Sequence, residues 1–451
     1  MSNSFIAKRK FSNKYDILAR NEFNEMNYSK AIQFLYGLQL FGAKFGLENT
    51  FKLAALAGNP QEKLRFIHVA GTNGKGSTCA MLESIYRAAG LRVGLFTSPH
   101  LVSFAERIQV NRKLISENEI VRLVEKFQKL LKKFPPSAHP TFFEVVTVIA
   151  LKYFADQKCD LVIWETGMGG RLDATNIVTP LASVITNIQF DHEKWLGDSV
   201  EKIAFEKAGI IKPKVPVITS SDSREALKII KKIARENQTS LKIISANSKL
   251  NTQNSKLSLL GDHQKLNAAL ATATVRVLNS QIPISEKIVA ESLSRVHWPG
   301  RFQIIQKNSQ KILLDGAHNP ASAETVRAAL LKYFPNGKPT LILGILRDKN
   351  FRAMSEILAP LTKKILLVPV NTARTLVPDE WKGVCQKINS DAKIIPCKTL
   401  AAALHLCISD SFVVITGSLY LIGEAMELLK ISSAKRNDER GLNEWRGAAS
   451  V

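Results

Sequence analysis

The sequence has few aromatic residues, few acidic residues and no long apolar run. Aromatic side chains make up 7% of its 451 residues, too few for base-stacking platforms to dominate the surface. No apolar stretch approaches the roughly 20 residues of a membrane span. The polar, basic segment 1–27 lacks the apolar core of a secretory signal. These absences argue against a membrane or secreted protein, and the length predicts two globular domains.

The cysteines lack any spacing typical of a metal site or a disulfide framework. There are five of them, at Cys79, Cys159, Cys385, Cys397 and Cys407. Isolated cysteines of this kind are typical of proteins kept in a reducing compartment. We therefore expect free thiols and a cytoplasmic location.

Acidic residues are scarce relative to basic ones, 39 against 62, which leaves a net charge of +23. Such a charge suits an anionic partner, whether nucleic acid, a membrane surface or a polyanionic small substrate. A generally basic proteome would explain it equally well. Lysine-rich stretches such as 228–232 have helical spacing typical of solvated faces, and no nucleic-acid recognition motif accompanies them. Neither nucleic acid nor membrane is therefore an expected partner.

The most informative segment is a glycine-rich turn between an apolar run and an amphipathic helix. The run Phe66–Ala70 leads directly into the turn, and helical periodicity follows to about Ala89. The turn consists of Gly71, Thr72, Asn73, Gly74, Lys75, Gly76 and Ser77. Glycines let backbone N–H groups converge on an anion, and the helix N-terminus and a lysine add positive charge. The extra Gly76 and the absence of an upstream glycine distinguish it from the common G-x-x-x-x-G-K-[ST] loop.

Alternating strands and helices predict an α/β protein with two sheets. The pattern predicts strands at 63–70, 91–96, 161–164, 181–187 and 215–219, with helices at 28–45, 77–89, 117–133, 141–156 and 199–208. A second series follows Pro299-Gly300, with strands at 311–314, 340–346, 364–368, 393–395 and 412–416 and helices at 321–333, 351–359 and 419–429. This rhythm indicates a P-loop-type, mostly parallel sheet followed by a smaller Rossmann-like α/β domain.

We expect four segments along the chain. They are a flexible basic extension at 1–26, a nucleotide-binding domain at 27–298, a second domain at 299–431 and a loose polar tail at 432–451. The hinge between the domains would lie at Pro299-Gly300.

Polar residues follow several predicted strands. Glu165 ends a strand beside a glycine-rich turn that contains Asp173, so it is placed either to hold Mg²⁺ or to stabilise the turn. With a phosphate loop in the same sheet, the metal interpretation is favoured. By spacing alone, His192 is a loop histidine that packs on Trp195, and Lys207 complements the C-terminal dipole of its helix. In the second domain Asp315 ends a strand before a turn and a helix.

Taken in chain order, these segments resemble the folylpolyglutamate synthase/dihydrofolate synthase family of the Mur ligase superfamily. The resemblance covers roughly residues 28–430. Its motifs are the loop at 68–78, Thr97–Leu101, Glu106–Ile108, Glu165–Asn176, Asp191–His192, Glu206–Ile211, Gly261–Asn267, Pro299–Phe302 and Asp315–Pro320. One such motif would be weak evidence, but the whole set in the family's order is specific.

The resemblance implies roles residue by residue. The whole loop from Gly71 to Ser77 would bind ATP phosphates, together with Asn267, Arg301 and Asp315. Mg²⁺ would be held by Ser98, Glu165 and His192, and a second Mg²⁺ or a K⁺ stays open. The catalytic residues would be Lys75, Lys207 and His318, with Lys207 matching a lysine that the superfamily often carries as a carbamate. The pterin substrate would be contacted by Thr97, Ser98, Pro99, His100, Leu101, Asp173 and Thr175.

The implied reaction is ATP-dependent addition of L-glutamate to dihydropteroate and to reduced folates, through an acyl phosphate. Two domains would close around the site to exclude water. We expect a monomer. Two alternatives stay open at this point: another Mur-type amino-acid ligase, and a protein that binds ATP or nucleic acid without catalysis.

Overall fold

The computed structural model describes residues 26–42, 46–245, 257–432 and 439–443. Apart from Met26, the expected basic extension lies outside these residues, as does most of the expected tail. Within the described part of the chain, no helix is both long enough and apolar enough to cross a membrane.

The first sheet has eight strands and is parallel except at one edge. Its strands are β1 (Phe66–Ala70), β2 (Val93–Phe96), β3 (Ile108–Val110), β4 (Lys113–Leu114), β5 (Leu161–Glu165), β6 (Ala182–Ile185), β7 (Val217–Thr219) and β8 (Leu241–Ile243). The spatial order is β4-β3-β2-β5-β1-β6-β7-β8, and only the β2–β3 and β3–β4 pairs are antiparallel. The central strands β1, β2 and β5 are buried along their whole length, as expected for a parallel sheet that is covered on both faces.

Helices cover both faces of this sheet. They are α1 (Tyr28–Leu38), α2 (Glu48–Leu56), α3 (Lys75–Ala88), α4 (Glu117–Leu131), α5 (Phe142–Asp156), α6 (Glu193–Leu196), α7 (Val200–Ala208), α8 (Arg224–Glu236), α9 (Asp262–Val277) and α10 (Glu286–Leu293). Short 3₁₀ segments lie at Gln39–Phe41, Pro60–Lys63, Phe104–Arg107, Pro136–Ala138 and Ala174–Ile177. Helices α4 and α5 begin at serine and threonine N-caps, Ser116 and Thr141, whose side chains accept backbone N–H groups of the first turn.

The second sheet has six strands. They are β9 (Gln303–Lys307), β10 (Gln310–Asp315), β11 (Thr340–Leu343), β12 (Lys364–Leu367), β13 (Lys393–Pro396) and β14 (Phe412–Thr416), in the order β13-β12-β11-β14-β10-β9. Only the β9–β10 hairpin is antiparallel. The helices are α11 (Pro320–Tyr333), α12 (Phe351–Leu358), α13 (Pro378–Ile388), α14 (Leu400–Leu406) and α15 (Leu419–Leu428), with 3₁₀ segments at Ala359–Leu361 and Glu439–Asn443.

The predicted α/β class and the two sheets are confirmed, while several elements differ from expectation. Strands β3, β4, β8 and β9 and helices α2, α6, α10, α13 and α14 were not predicted, because edge strands and short surface elements carry little apolar periodicity. The helix expected at 28–45 ends at Leu38. All five cysteines are free and buried, as expected.

The C-terminal tail is not loose throughout. Glu439–Asn443 forms a 3₁₀ turn against the first domain, in which Glu439 and Leu442 are almost completely buried. The polar composition of the tail hid this turn, because its anchoring contacts are hydrogen bonds from distant residues.

Candidate functional site

A cavity of about 350 Å³ lies where the carboxyl ends of the two sheets face each other. This volume falls within the range of small-molecule binding sites. The first domain lines it with the loop Gly71–Ser77, with Ser98 and with Glu165, and the second domain lines it with Asp315 and His318. The sequence-predicted residues of both domains therefore meet in one cavity.

The glycine-rich loop is shaped by contacts that tolerate no side chain. A Cβ atom on Gly71 would lie 1.7 Å from Thr186 Oγ1, and one on Gly74 would lie 2.5 Å from Asn267 Oδ1. Both glycines have positive φ angles, 145° and 85°. Gly74 caps α3, so the backbone turns directly into the helix. The result is a tight loop at a helix N-terminus, which is the arrangement that binds phosphate.

Lys75 is folded back over this loop. Its Nζ donates to the carbonyl oxygens of Gly71 at 3.1 Å and Thr72 at 3.2 Å. The ammonium group therefore lies within the loop, where an incoming phosphate would replace these carbonyl contacts with a stronger ionic one.

Residues after β6 brace the loop from its other side, and sequence reasoning missed them. Asn187 accepts the backbone N–H of Asn73 through Oδ1 at 2.7 Å and that of Thr72 through its carbonyl oxygen at 2.8 Å. Thr72 Oγ1 donates to the carbonyl of Gln189 at 3.1 Å. Asn73 also exchanges amide hydrogen bonds with Asn319 of the second domain, at 3.3 and 3.1 Å. In this geometry the side chains of Thr72 and Asn73 brace the loop and join the domains.

Lys207 lies in the site and not on a solvated helix end. Its side chain is buried, and Nζ donates to the carbonyl of Gly71 at 2.8 Å. Burial, assisted by the charge of Lys75, lowers the pKa of Lys207 to about 7. The interpretation from spacing, a lysine that complements the dipole of its own helix, is therefore wrong.

Glu165 ends β5 next to the start of the Ser98–Pro99 segment. Its Oε2 accepts the backbone N–H of Ser98 at 3.0 Å. Burial raises the pKa of Glu165, while the charges of Lys75, Arg301 and Arg107 oppose the shift. A buried carboxylate with one backbone hydrogen bond keeps lone pairs for a further ligand, such as a cation that enters together with an anionic substrate.

Asp191 forms the main polar link between the domains. It accepts a hydrogen bond from Lys349 Nζ at 2.6 Å and lies 3.6 Å from His318 Nε2. Burial would raise the pKa of Asp191, but His318, His192 and Lys349 together hold it far below its usual range. His192 lines the same cavity, although 39% of its side chain is exposed. Lys349 was missed because a lysine in a polar loop carries no motif by itself.

Asp315, Arg301 and Asn267 line the same cavity as the loop Gly71–Ser77. Asp315 accepts the backbone N–H groups of Phe302 at 2.8 Å and Ala317 at 2.9 Å. Asn267 Nδ2 donates to Gln264 Oε1 at 3.0 Å, and Asn267 Oδ1 would lie 2.5 Å from a Cβ atom on Gly74. All three line the cavity, but the oxygens of Asp315 are already engaged by backbone. Asp315 therefore shapes the turn next to Arg301, and its role in ATP binding stays a prediction.

The predicted pterin-contacting residues differ in whether they line the cavity, and their contact with a substrate stays a prediction. Asp173 binds the backbone N–H groups of Gly167, Met168 and Thr175, which is the turn-stabilising alternative, although it borders the cavity. The residues Thr97, His100, Leu101 and Thr175 do not line the cavity. Thr175 is fully buried, with Oγ1 2.9 Å from His68 Nε2. Of the predicted loop, Ser98 and Pro99 reach the cavity.

The structure adds three basic residues to the site for which no role was predicted. Arg107, Lys349 and Arg374 all line the cavity. Arg107 ends a short 3₁₀ turn and belongs to the motif Glu106–Ile108, whereas the other two lie in loops of the second domain and carry no motif. They bring the lysines and arginines that line the cavity to six, against five carboxylates. Cationic groups of this kind suit substrates that carry phosphates or carboxylates.

Comparison with known proteins identifies related chains. Residues 69–214 match the Mur ligase middle domain, and residues 300–419 match the Mur ligase glutamate ligase domain. The chain is 34% identical over 427 residues to a Bacillus subtilis protein named dihydrofolate synthase/folylpolyglutamate synthase, covering 89% of this chain and 99% of that one.

Solved structures agree with these matches. The crystal structure of folylpolyglutamate synthase from Thermotoga maritima superposes with a TM-score of 0.80 at 34% identity, covering 92% of this chain and 98% of that one. Escherichia coli FolC in complex with DHPP and ADP superposes with a TM-score of 0.78 at 29% identity, covering 90% and 98%.

Proposed function

The chain belongs to the dihydrofolate synthase/folylpolyglutamate synthase family of Mur ligases, and from this premise we propose how its cavity joins L-glutamate to a pteroate or folate carboxylate. The enzyme is an ATP-dependent ligase. One observation carries the assignment of residues: the phosphate loop, Glu165, Lys207 and the second-domain residues Arg301 and His318 all line one cavity.

We propose a reaction in two steps. A carboxylate oxygen of the pteroate or folate attacks the γ-phosphorus of ATP, the bond to the β-phosphate oxygen breaks, and ADP leaves. The amine of L-glutamate then attacks the carbonyl carbon of the acyl phosphate, inorganic phosphate leaves and the nitrogen loses a proton. The first step needs positioning and charge neutralisation more than covalent help from the protein.

The cationic residues would supply that neutralisation. Lys75 is already held over the phosphate loop, within 3.2 Å of two of its carbonyl oxygens. Arg301 lines the same cavity from the second domain, next to the turn that Asp315 holds. We propose that Lys75 binds the phosphate being transferred and that Arg301 approaches it as the domains close. His318, linked to Asp191, would orient the reacting carboxylate or the incoming amine.

The site suits Mg²⁺ through Glu165 and Ser98. Mg²⁺ prefers oxygen ligands and usually combines one or two protein groups with substrate phosphates and water. Glu165 offers a buried carboxylate beside the phosphate loop, and Ser98 is its neighbour. No cluster of three His, Cys, Asp or Glu side chains with metal-binding geometry occurs in the described residues, so His192 stays a predicted ligand. A bound Mg²⁺ would neutralise charge on the phosphates.

Lys207 is suited to carbamylation, as the resemblance implies. Carbon dioxide reacts with a neutral amine, and burial lowers the pKa of Lys207 to about 7, so the neutral form is populated near neutral pH. Its Nζ contacts Gly71 and lies near the cavity. Mass analysis of intact protein prepared with bicarbonate would detect the modification, and loss of the added mass on acidification would identify it as a carbamate.

The substrates are proposed from the family and the cavity. We propose dihydropteroate and reduced folates as carboxylate substrates, with the pterin ring near Ser98 and Pro99. We also propose a cytoplasmic location, which suits the five free cysteines, and a monomeric enzyme.

The test compares products and a loop variant. Wild-type enzyme is incubated with ATP, L-glutamate and either dihydropteroate or tetrahydrofolate, and ADP release and product masses are measured. We expect Lys75→Ala to lose nearly all turnover. Lys287→Ala serves as the matched control, since its side chain is 84% exposed on α10. Turnover only with cell-wall precursors would identify a different Mur ligase, and near-normal Lys75→Ala activity would exclude the loop from the mechanism.

A further inference from the structure

The C-terminal segment Glu439–Asn443 crosses back from the second domain and packs on the first. Glu439 is completely buried, and its carboxylate accepts hydrogen bonds from Tyr28 Oη at 2.7 Å, Ser103 Oγ at 3.0 Å and the backbone N–H of Phe104 at 2.5 Å. A carboxylate with three donors is fixed in position, because leaving those buried donors unpaired would be unfavourable. Glu439 therefore anchors the segment to the loop that follows β2.

The same segment holds the two basic side chains of that loop. The carbonyl of Glu439 lies 2.9 Å from His100 Nε2, and Asn443 Nδ2 donates to the carbonyl of His100 at 2.9 Å. Arg107 donates from Nε to His100 Nδ1 at 2.9 Å and from Nη2 to Asn443 Oδ1. Asn443 thus binds both ends of a buried His–Arg pair.

The far end of the segment reaches the cavity. Leu442 and Asn443 both line it, together with Arg107 and the aromatic side chains Phe142 and Phe143. The guanidinium of Arg107 lies 5.5 Å from the centre of the Phe142 ring. An apolar side chain, two phenylalanines and a fixed guanidinium form a wall suited to a flat ring system with polar edges.

This wall lies away from the phosphate loop Gly71–Ser77. Strand β5 separates β2, whose end leads to Ser98 and Pro99, from β1, whose end leads to the phosphate loop. Two strand spacings amount to roughly 10 Å. A ligand at the wall and a nucleotide at the loop can therefore occupy the cavity together, with Glu165 at the end of β5 between them.

We propose that Leu442 and Asn443 form part of the pteroyl-binding wall, and that Glu439 fastens this C-terminal segment so that Asn443 holds Arg107 in place. Asn443 is a positioning residue that acts through Arg107. The proposal rests on the proposed function, because it assigns the ring of that reaction's substrate to the β2 side of the cavity.

The test is Asn443→Ala in the full chain, with Asn336→Ala on an exposed loop of the second domain as the matched control. Removing the amide leaves the buried guanidinium without one acceptor, so we expect the KM for dihydropteroate to rise by about tenfold. The KM for ATP should stay within about twofold, because the loop Gly71–Ser77 is untouched. The control should match wild type.

A second variant tests whether loss of the segment disturbs the rest of the structure. A chain that ends at residue 438 lacks the whole segment, and its affinity for ADP, measured by calorimetry, reports whether the nucleotide site is intact. We expect near-normal ADP affinity together with a larger rise in the KM for dihydropteroate. Loss of ADP affinity in this variant would show a general structural role and contradict the proposal.

Other outcomes separate the two proposals. An unchanged KM for dihydropteroate in Asn443→Ala, or an equal rise in both KM values, would overturn the wall while leaving the ligase function intact. Absence of product from wild-type enzyme with every folate would instead overturn the proposed function, and the wall with it.

Discussion

Two carboxylates occupy equivalent places in the two sheets but accept different numbers of backbone hydrogen bonds. Glu165 ends β5 and Asp315 ends β10, both are buried, and burial raises the pKa of both. Asp315 accepts two backbone N–H groups, one on each oxygen. Glu165 accepts one, from Ser98, and faces the charges of Lys75, Arg301 and Arg107. The hydrogen bonds, and not the position at a strand end, distinguish the two roles.

This difference indicates which strand-end acids can bind a ligand. A carboxylate whose two oxygens each accept a backbone N–H group holds a turn and keeps fewer lone pairs for a ligand, because each oxygen can accept about two hydrogen bonds. A carboxylate with one oxygen free of backbone contacts offers that oxygen directly to a cation. Asp173, with three backbone donors, belongs with Asp315.

The largest expected effect is at Glu165. Glu165→Gln removes the negative charge but keeps the shape, and we expect kcat to fall by about 10²–10³-fold, because the variant would hold Mg²⁺ less well and the phosphates would lose the neutralisation that the ion supplies. The folded state raises the pKa of Glu165, so at pH 7 ionisation disfavours folding, and the variant should unfold at the same or a higher denaturant concentration. Kinetics and urea unfolding test both parts, with the exposed Glu291→Gln as control. Near-normal kcat would contradict the proposed role.

We expect Asp315→Asn to lower the free energy of unfolding, which Glu165→Gln should not do. In Asp315→Asn one backbone N–H faces an amide NH₂ group instead of an oxygen, so we expect the free energy of unfolding to fall by about 2 kcal/mol. Turnover should also fall, by less than in Glu165→Gln, because the turn beside Arg301 loosens. If urea unfolding of this variant matched that of wild type, the distinction between the two acids would fail.

Lys207 adds a buried cationic group to the comparison, and its effect is expected in the pH dependence of stability. Its pKa is lowered from 10.5 to about 7 by burial, so between these values the unfolded chain binds more protons than the folded one. Stability should therefore rise with pH across this window, by about 1.4 kcal/mol per pH unit at most, and Lys207→Met should lack that rise. Urea unfolding at several pH values in carbonate-free buffer measures this. Parallel curves for the two proteins would show that the amine is not buried uncharged.

The smallest effect is expected at Gly76, where the loop meets the segment between the domains. A Cβ atom there would lie 3.1 Å from Trp298 Nε1, so the indole must shift by a few tenths of an ångström. In Gly76→Ala we expect the KM for ATP to rise about threefold, while better helix propensity keeps the change in unfolding free energy within about 1 kcal/mol. The double variant Gly76→Ala/Trp298→Phe should recover the KM, and failure to do so would exclude the indole as the cause.

The class of fold, both sheets and the glycine-rich loop were predicted from the sequence, because buried strands and glycine-rich turns have strong local patterns. The gathering of Lys207 and His318 with Lys75 and Glu165 in one cavity follows from the family resemblance, since spacing alone assigns Lys207 to the C-terminus of its helix. The sequence could not predict which acidic side chains accept backbone N–H groups on both oxygens, as Asp315 does, since that depends on loop geometry. Nor could it predict Lys349 or the turn at Glu439–Asn443, whose partners lie more than a hundred residues away along the chain.

The contact between Trp298 and Gly76 also gives the protein an optical signal. Indole emission responds to nearby charge and polarity, and the ring of Trp298 lies against the loop on one side and 5.1 Å from the Arg112 guanidinium on another. By contrast, Trp164 and Trp381 are fully buried away from the loop. Emission from Trp298 can therefore report arrival of a nucleotide at the loop in real time, without a label.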